Sequence, residues 1–433
     1  MIYSELGGPG ASLSSEDLRA GLVSALEQFM PAARARRVIV VPPDITRFHS
    51  RAGELTVMAG EYYRDRLTDV LPAIGTHYPM TPAELNRMYP GLDHSLVRVH
   101  RFREDLVTLG RVPADYLRER SGGAVNFDWP AQLNRLIAEG GHDAILSIGQ
   151  VVPHEVIGFA NHNKNLFIGT GGAEPISKSH YMGAAYGMER IMGRVQTPVR
   201  DVLDYASAHF ATELPILYVL TVLASGEDGR LHVRGLFVGD DKECYRRAAQ
   251  LSQAENVEQV PRPFHRAVVY LDPEEFRSTW LGNKAIYRTR MAMADEGELT
   301  IIAPGVREFG EDAGIDALIR RHGYRGTPAT QAAVAADPEL ADNLSAAAHL
   351  IHGSSEGRFR VVWAPGQLSR EEIEGAGYAW DEPARAAARW GLDLDRMGQE
   401  PTAWRTAPDG TTFFYIQNPA LGLWALADRL KEH

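Results

Sequence analysis

Short runs of aliphatic and β-branched residues, each cut off by proline, set the first limit on what this chain can fold into. Arg37 to Val41 (RVIVV) ends at Pro42-Pro43, and Ala144 to Val152 (AILSIGQVV) ends at Pro153. Runs so apolar have almost no polar face, which suits strands covered on both sides, and proline cannot continue the ladder. Ile216 to Ala224, Ala267 to Leu271, Leu299 to Ala303 and Phe359 to Trp363 read the same way. Helical patterns lie between them: Ser15 to Phe29, Asp128 to Glu139, Pro273 to Ala294, and a shorter one from Ser369 through Glu374. Strands alternating with helices predict an α/β protein with mainly parallel sheets, in which ligands sit beyond the strand C-terminal ends. A chain of 433 residues is long for one core and predicts two α/β domains. Pro261 to Pro263 places their boundary near residue 265. The N-terminal domain is then 1–265 and the C-terminal one 266–433, with an active site expected in the cleft between them.

The bulk numbers exclude some classes of function. A net charge of -11 argues against a nucleic-acid partner, which calls for a basic face. No run approaches the ~18 apolar residues of a membrane span. Met1 to Ser15 has neither a basic flank nor an apolar stretch, so no signal peptide is expected and the cytoplasm is the predicted compartment. Cys244 is the one cysteine, which rules out an internal disulfide; the charged run Asp241-Lys242-Glu243 before it predicts an exposed, inert thiol. Only five of the 45 basic residues are lysines: Lys164, Lys178, Lys242, Lys284 and Lys431. Arginine cannot serve as an amine nucleophile and lysine can, so a buried lysine in this background is a weak candidate for covalent chemistry.

Five clusters carry candidate chemistry. Pro43-Asp44-Ile45-Thr46-Arg47 follows a strand; its arginine can clamp a carboxylate or phosphate, although a turn with a surface ion pair explains it equally well. Gly75-Thr76-His77-Tyr78-Pro79-Met80-Thr81 sets His77 in a loop before a helix that Thr81 and Glu84 mark as a capping box. Val152 to Phe159 holds His154, and Ala160-Asn161-His162-Asn163-Lys164 follows it. Gly169-Thr170-Gly171-Gly172 precedes Ser177-Lys178-Ser179-His180; glycine turns can expose amides to a phosphate, but the spacing is neither that of a P-loop nor that of a dinucleotide fingerprint. Trp280, Lys284, Tyr287 and Met291 share one face of a predicted helix, as a core stripe or as a pocket wall holding one cation.

In order and spacing these clusters resemble the nickel-dependent lactate racemase family, which also includes racemases and epimerases of other 2-hydroxy acids. The family's D-x-T-R loop is matched by Asp44 and Arg47, its G-T-H-x-x-M-T segment by His77, and its P-H-x-x-x-G-F/Y segment by His154, with Lys164 ten residues on. His180 follows Lys164 by sixteen residues and Lys284 lies 104 beyond that. There are departures. Ala160-Asn161-His162 stands where the family has a serine and two glycines, Pro43 where it has a first aspartate, and Trp280-Leu281 where it has a tyrosine-glutamine pair.

The resemblance implies reversible hydride removal from a 2-hydroxy acid, using nickel held in a pincer nucleotide, pyridinium-3,5-bisthiocarboxylic acid mononucleotide. It implies that Lys164 carries this cofactor covalently and that His180 ligates the nickel. His77 and His154 become the acid–base pair, one for each face of the substrate. Arg47 and Lys284 hold the carboxylate and Trp280 lines the substrate site. Asp44 orients Arg47 or the cofactor ribose, and Gly171 and Gly172 approach its phosphate. The polar run Asn161-His162-Asn163, with His49, favours a polyhydroxy substrate such as an aldonate epimerised at C2; lactate and malate-like diacids stay open. Expected partners are that small acid and the proteins that make the cofactor, and a homo-oligomer is compatible. The competing readings are a zinc hydrolase built on His154, His162 and His180, and a binding protein that kept the fold without the chemistry. A dehydrogenase with exchangeable cofactor lacks its fingerprint.

Overall fold

The computed structural model describes residues 1–226 and 230–430, and these divide into two compact units. The first comprises Met1–Ser179 and Ile191–Asn256, the second His180–Arg190 and Val257–His433. The division thus falls ahead of Pro261 to Pro263 rather than at residue 265, and a short segment from the middle of the chain packs with the second unit.

The first unit is built on a six-stranded sheet in the order Ile2–Gly7, Leu231–Gly239, Ile216–Ser225, Ala144–Gln150, Val38–Val41, Leu67–Val70. The pairings from Ile216–Ser225 through Leu67–Val70 are parallel; those of Leu231–Gly239 on either side are antiparallel. Val38–Val41 and Ala144–Gln150 are buried at every position, as runs without a polar face require. One face is closed by the helix Ser15–Phe29, capped by Ser14 and burying Leu18, Leu22 and Leu26, and by Ala52–Tyr63, burying Leu55 and Met58. Each such side chain contributes about 1.5–3 kcal/mol. Cys244 is fully buried on the helix Lys242–Asn256, and burial raises its thiol pKa, which corrects the expectation of an exposed one: the charged residues before it open that helix and Cys244 turns inward.

Asp128 to Glu139 is a second correction. Trp129–Asn134 forms a strand against Leu106–Val112, and only Arg135–Glu139 is helical. Trp129, Ala131 and Leu133 are buried on one face and Pro130 and Asn134 on the other, so the segment is covered on both sides as a strand rather than amphipathic as a surface helix.

The second unit has its own six-stranded sheet: Ala379–Trp380, Arg360–Pro365, Met293–Ala303, Phe264–Tyr270, Thr412–Ile416, Ala403–Thr406. Only the last pair is antiparallel. The core sets Val268, Tyr270 and Ile302 against Ala386, Ala387 and Trp390. The long helix expected over Pro273 to Ala294 is instead two short ones, Thr279–Gly282 and Lys284–Thr289, and the chain is already extended at Met293. Gly282 sits where any Cβ would stand 2.7 Å from the Trp363 ring, so close packing requires glycine at the end of the first of them. Among the described residues no helix is long and apolar enough to cross a membrane.

Candidate active site

In the first unit the candidate residues gather beyond the C-terminal ends of Val38–Val41 and Ala144–Gln150. Asp44 follows Pro42-Pro43 and caps the turn Ile45–Ser50, accepting from the Thr46 N–H at 3.0 Å. Its other oxygen, Oδ2, lies 2.8 Å from Nδ1 of His77. Asp44 is buried, which alone raises a carboxyl pKa, but hydrogen bonds from His77 and Thr46 outweigh that and hold it below the usual range. The partner of Asp44 is therefore His77, where the sequence suggested Arg47 or a ribose. His77 itself is exposed, as are Arg47 and His49 on the turn. Partial desolvation of its ring by the surrounding chain, with Arg47 beside it, pushes the His49 imidazole pKa down even though much of the residue is exposed.

His154 stands on a small hairpin, Pro153–His154 against Gly158–Phe159. Gly158 has φ +87, and a Cβ there would meet the Arg194 carbonyl at 2.0 Å, which explains the glycine of this motif. The Val156 N–H donates to His154 Nδ1 at 3.2 Å, and Glu155 Oε2 is 3.9 Å from that same nitrogen.

The turn from Phe159 to Asn163 delivers Lys164, on the helix Asn163–Phe167. Asn161 and His162 have φ +67 and +60, the left-handed region in which glycine is at ease. These are the positions where the resemblance expects two glycines, and here non-glycine residues adopt a left-handed backbone, at a cost of about 1–2 kcal/mol per residue. Several contacts hold it. The Asn161 side chain accepts from the His162 N–H at 2.8 Å, and the His162 ring packs between Tyr218 (centroids 3.8 Å apart) and Tyr245 (5.4 Å). Arg200, fully buried, donates to the carbonyls of Phe159 and Asn161 and to the Asn163 side chain, and lies 4.0 Å over the Tyr245 ring. Asn165 ties the helix to the strand ends, donating to the Val41 carbonyl at 2.9 Å. Desolvation and the charges of Arg47 and Arg200 push the Lys164 amine down to about 8, with Glu155 pulling the other way. A partly neutral amine suits covalent attachment.

The polar run Asn161 to Asn163 is thus spent on the turn and no longer argues for a polyhydroxy substrate. Gly171 and Gly172 are buried, and a Cβ on either would stand 2.0 Å from the Phe167 carbonyl or 2.4 Å from the Gln132 side chain. Close packing suffices to require both glycines.

In the second unit, His180 lies half-buried on the helix Ala173–Tyr186. Trp280 stacks on His349, centroids 4.1 Å apart. His349 is in turn 3.0 Å from the Tyr324 hydroxyl and 3.3 Å from Asn283 Nδ2. Burial, with His352 nearby, pushes His349 down to about 3, so it is neutral at ordinary pH. Lys284 is half-buried, its ammonium 5.8 Å from the Phe276 ring centroid. Sequence reasoning does not single out Arg200, Glu155 or His349. His349 and His352, three apart on one helix, are the one signal that could have pointed to the surroundings of Trp280.

Among the described residues, no three His, Cys, Asp or Glu side chains form a group able to hold a metal. With His162 between two tyrosines, this removes the basis for a three-ligand zinc site; a metal held mainly by the sulfurs of a bound group needs one protein imidazole.

Residues 23–190 match the family model for the lactate racemase N-terminal domain. Among curated proteins, none matches the sequence. The structure is similar to that of a protein from Thermotoga maritima, 24% identical, with a TM-score of 0.76, covering 97% of this chain and 100% of that one. It is also similar to the lactate racemase apoprotein from Thermoanaerobacterium thermosaccharolyticum, 13% identical, with a TM-score of 0.67, covering 96% of this chain and 93% of that one. At these identities the structural likeness establishes the fold. The matched segment carries Asp44, Arg47, His77, His154, Lys164 and His180, so the part of the chain that is similar to a lactate racemase N-terminal domain is also the part that holds these candidate residues.

Proposed function

We propose that the chain is a racemase or epimerase of 2-hydroxy acids. The observation that supports it most is Lys164: an amine that burial and Arg47 push down to about 8, on a turn whose left-handed residues stand where the resemblance expects two glycines. That amine fits attachment of the nickel-pincer nucleotide, and His180 fits the imidazole ligand to its nickel. When bound, the cofactor supplies an acceptor that takes hydride from Cα and returns it to either face. The chain's own residues do the rest. Arg47 holds the substrate carboxylate by charge-assisted hydrogen bonds; Lys284 and Trp280, in the second unit, keep the carboxylate-binding and apolar roles that the resemblance implies. His77, its Nδ1–H held by Asp44, presents Nε2 to the hydroxyl proton, and His154 serves the opposite face. Proton abstraction from Cα is disfavoured because the adjacent carboxylate is already anionic. Cofactor-making proteins are the partners this reading requires, in the same cytoplasmic compartment.

The finer reading, C2 epimerisation of an aldonate, now rests on His49 alone and is tested beside lactate and malate. The deciding experiment coexpresses the chain with the cofactor-making proteins and measures intact mass, nickel content and inversion of each acid. Adduct and nickel with inversion support the proposal. Adduct and nickel without inversion of any acid tested would favour a binding protein that lost the chemistry.

A further inference from the structure

His77 and His154 are not equivalent in this structure, and the difference follows from partners whose hydrogens are beyond choice. The Asp44 carboxylate, held ionised, can only accept; at 2.8 Å, Nδ1 of His77 therefore carries the hydrogen and Nε2 the lone pair. A backbone N–H can only donate; at 3.2 Å from Val156 N, Nδ1 of His154 therefore holds the lone pair and Nε2 the hydrogen. In this state His77 can take a proton at Nε2 and His154 cannot. Nor can His154 become an imidazolium while Val156 N–H points at its Nδ1. Reversible inversion needs both rings to take and give a proton at the same kind of nitrogen, so His154 must first exchange its Nδ1 partner. Glu155 Oε2 stands 3.9 Å from that nitrogen, beyond hydrogen-bond length but within reach of a small ring rotation.

We infer that Glu155 is the positioning residue for His154, the counterpart of Asp44 for His77, and that His154 works only after its Nδ1 passes from the Val156 amide to the Glu155 carboxylate. This rests on the proposed racemase reading. In the working state Nδ1–H donates to Glu155 and the Nε2 lone pair faces the substrate; the hydroxyl O–H bond breaks, its proton binds Nε2, and the imidazolium is paired with Glu155. In the reverse direction Nε2–H returns that proton to the carbonyl oxygen. The charged groups that act with Glu155 on Lys164 are Arg47 and Arg200, so removing the carboxylate also lowers the Lys164 pKa further; attachment is therefore checked by mass in every variant.

The test has two arms. In the cofactor-free protein, histidine ¹⁵N spectra assigned with His154→Gln and His77→Gln should show Nδ1–H on His77 and Nε2–H on His154 near neutral pH. Glu155→Gln should lower the pH at which His154 protonates by about 1 unit. In enzyme carrying adduct and nickel, single turnovers should show Glu155→Gln slowing one stereoisomer by at least about 10²-fold while the other changes little, with Glu155→Asp recovering part of the loss. Nδ1–H on wild-type His154, an unmoved His154 titration, or equal slowing of both stereoisomers overturns the inference. If loaded wild-type enzyme inverts no acid, the racemase reading fails instead, and the spectra still decide the tautomers.

Discussion

Asp44 Oδ2 lies 2.8 Å from His77 Nδ1, and this contact fixes the tautomer of an otherwise exposed histidine, leaving the lone pair on Nε2. Asp44→Asn keeps the size but offers an amide whose nitrogen donates, so the imidazole can settle in the other tautomer. Misorienting a general base costs on the order of 10²–10⁴ in rate. The expected result is a kcat reduced by that factor with KM within a few-fold. An Asp44→Asn enzyme with wild-type kcat would show that the pair is structural.

Lys164 should differ from the other lysines in its pH profile. Its pKa near 8 lies below the ordinary ~10.4, so it offers free amine some two pH units earlier. Labelling with an amine-reactive reagent, read by peptide mass, should rise with a midpoint near pH 8 at Lys164, below that of an ordinary lysine at ~10.4. The folded state holds its proton less tightly than the unfolded chain, so the penalty is complete below pH 8 and is relieved as pH rises from 8 towards 10. Lys164→Arg should retain the fold and lose both labelling and cofactor attachment. A labelling midpoint at Lys164 in the ordinary lysine range, near ~10.4, would refute the assignment.

The alternation of buried strands and helices was legible because it rests on period and length: Val38–Val41, Ala144–Gln150 and Ile216–Ser225 lie within a residue or two of the runs that marked them. The capping box at Thr81 was legible for the same reason, being local, and the helix Pro82–Met88 carries both of its reciprocal bonds. What depended on distant partners was not. Trp129 joins a strand because residues far along the chain bury it, its indole N–H reaching the Pro175 carbonyl at 3.0 Å. The substitution of Asn161 and His162 for two glycines was visible, but not that both keep positive φ, since the supports come from Arg200, Tyr218 and Tyr245. Glu155 beside His154 carried no signal at all, because neighbours in sequence have no fixed mutual orientation in a loop.

His349 gives a stability prediction with a definite sign. Its folded pKa of about 3 lies below the ordinary histidine value of ~6.5, so the unfolded chain binds the proton more readily. Its neutral form is fully compatible with the fold above pH 6.5, and stability is lost as pH falls from 6.5 towards 3. His349→Gln, which can still accept from Tyr324, should flatten that part of the curve in urea titrations at pH 4, 5 and 7. An unchanged pH dependence would place the acid sensitivity elsewhere.

Asn161 separates backbone strain from side-chain contact. At φ +67 glycine is unstrained, but it lacks the oxygen that accepts from the His162 N–H at 2.8 Å. Alanine lacks that oxygen and keeps the strain. Relief of about 1–2 kcal/mol against loss of a hydrogen bond of about 0.5–1.5 kcal/mol leaves Asn161→Gly within about 1 kcal/mol of the parent. Asn161→Ala should fall below Asn161→Gly by about 1–2 kcal/mol, the strain term alone. The space beside it gives a control: a Cβ at Gly149 would stand 2.0 Å from the Asn161 amide nitrogen. Gly149→Ala should therefore be destabilising with Asn161 present and less so with Asn161→Gly, a coupling that a double-mutant cycle reads directly. Equal stability of the alanine and glycine variants at 161 would mean that the left-handed turn is not held in solution. Lys164 would then be presented by a turn of another shape, and the likeness of this segment to a glycine pair would lose its meaning.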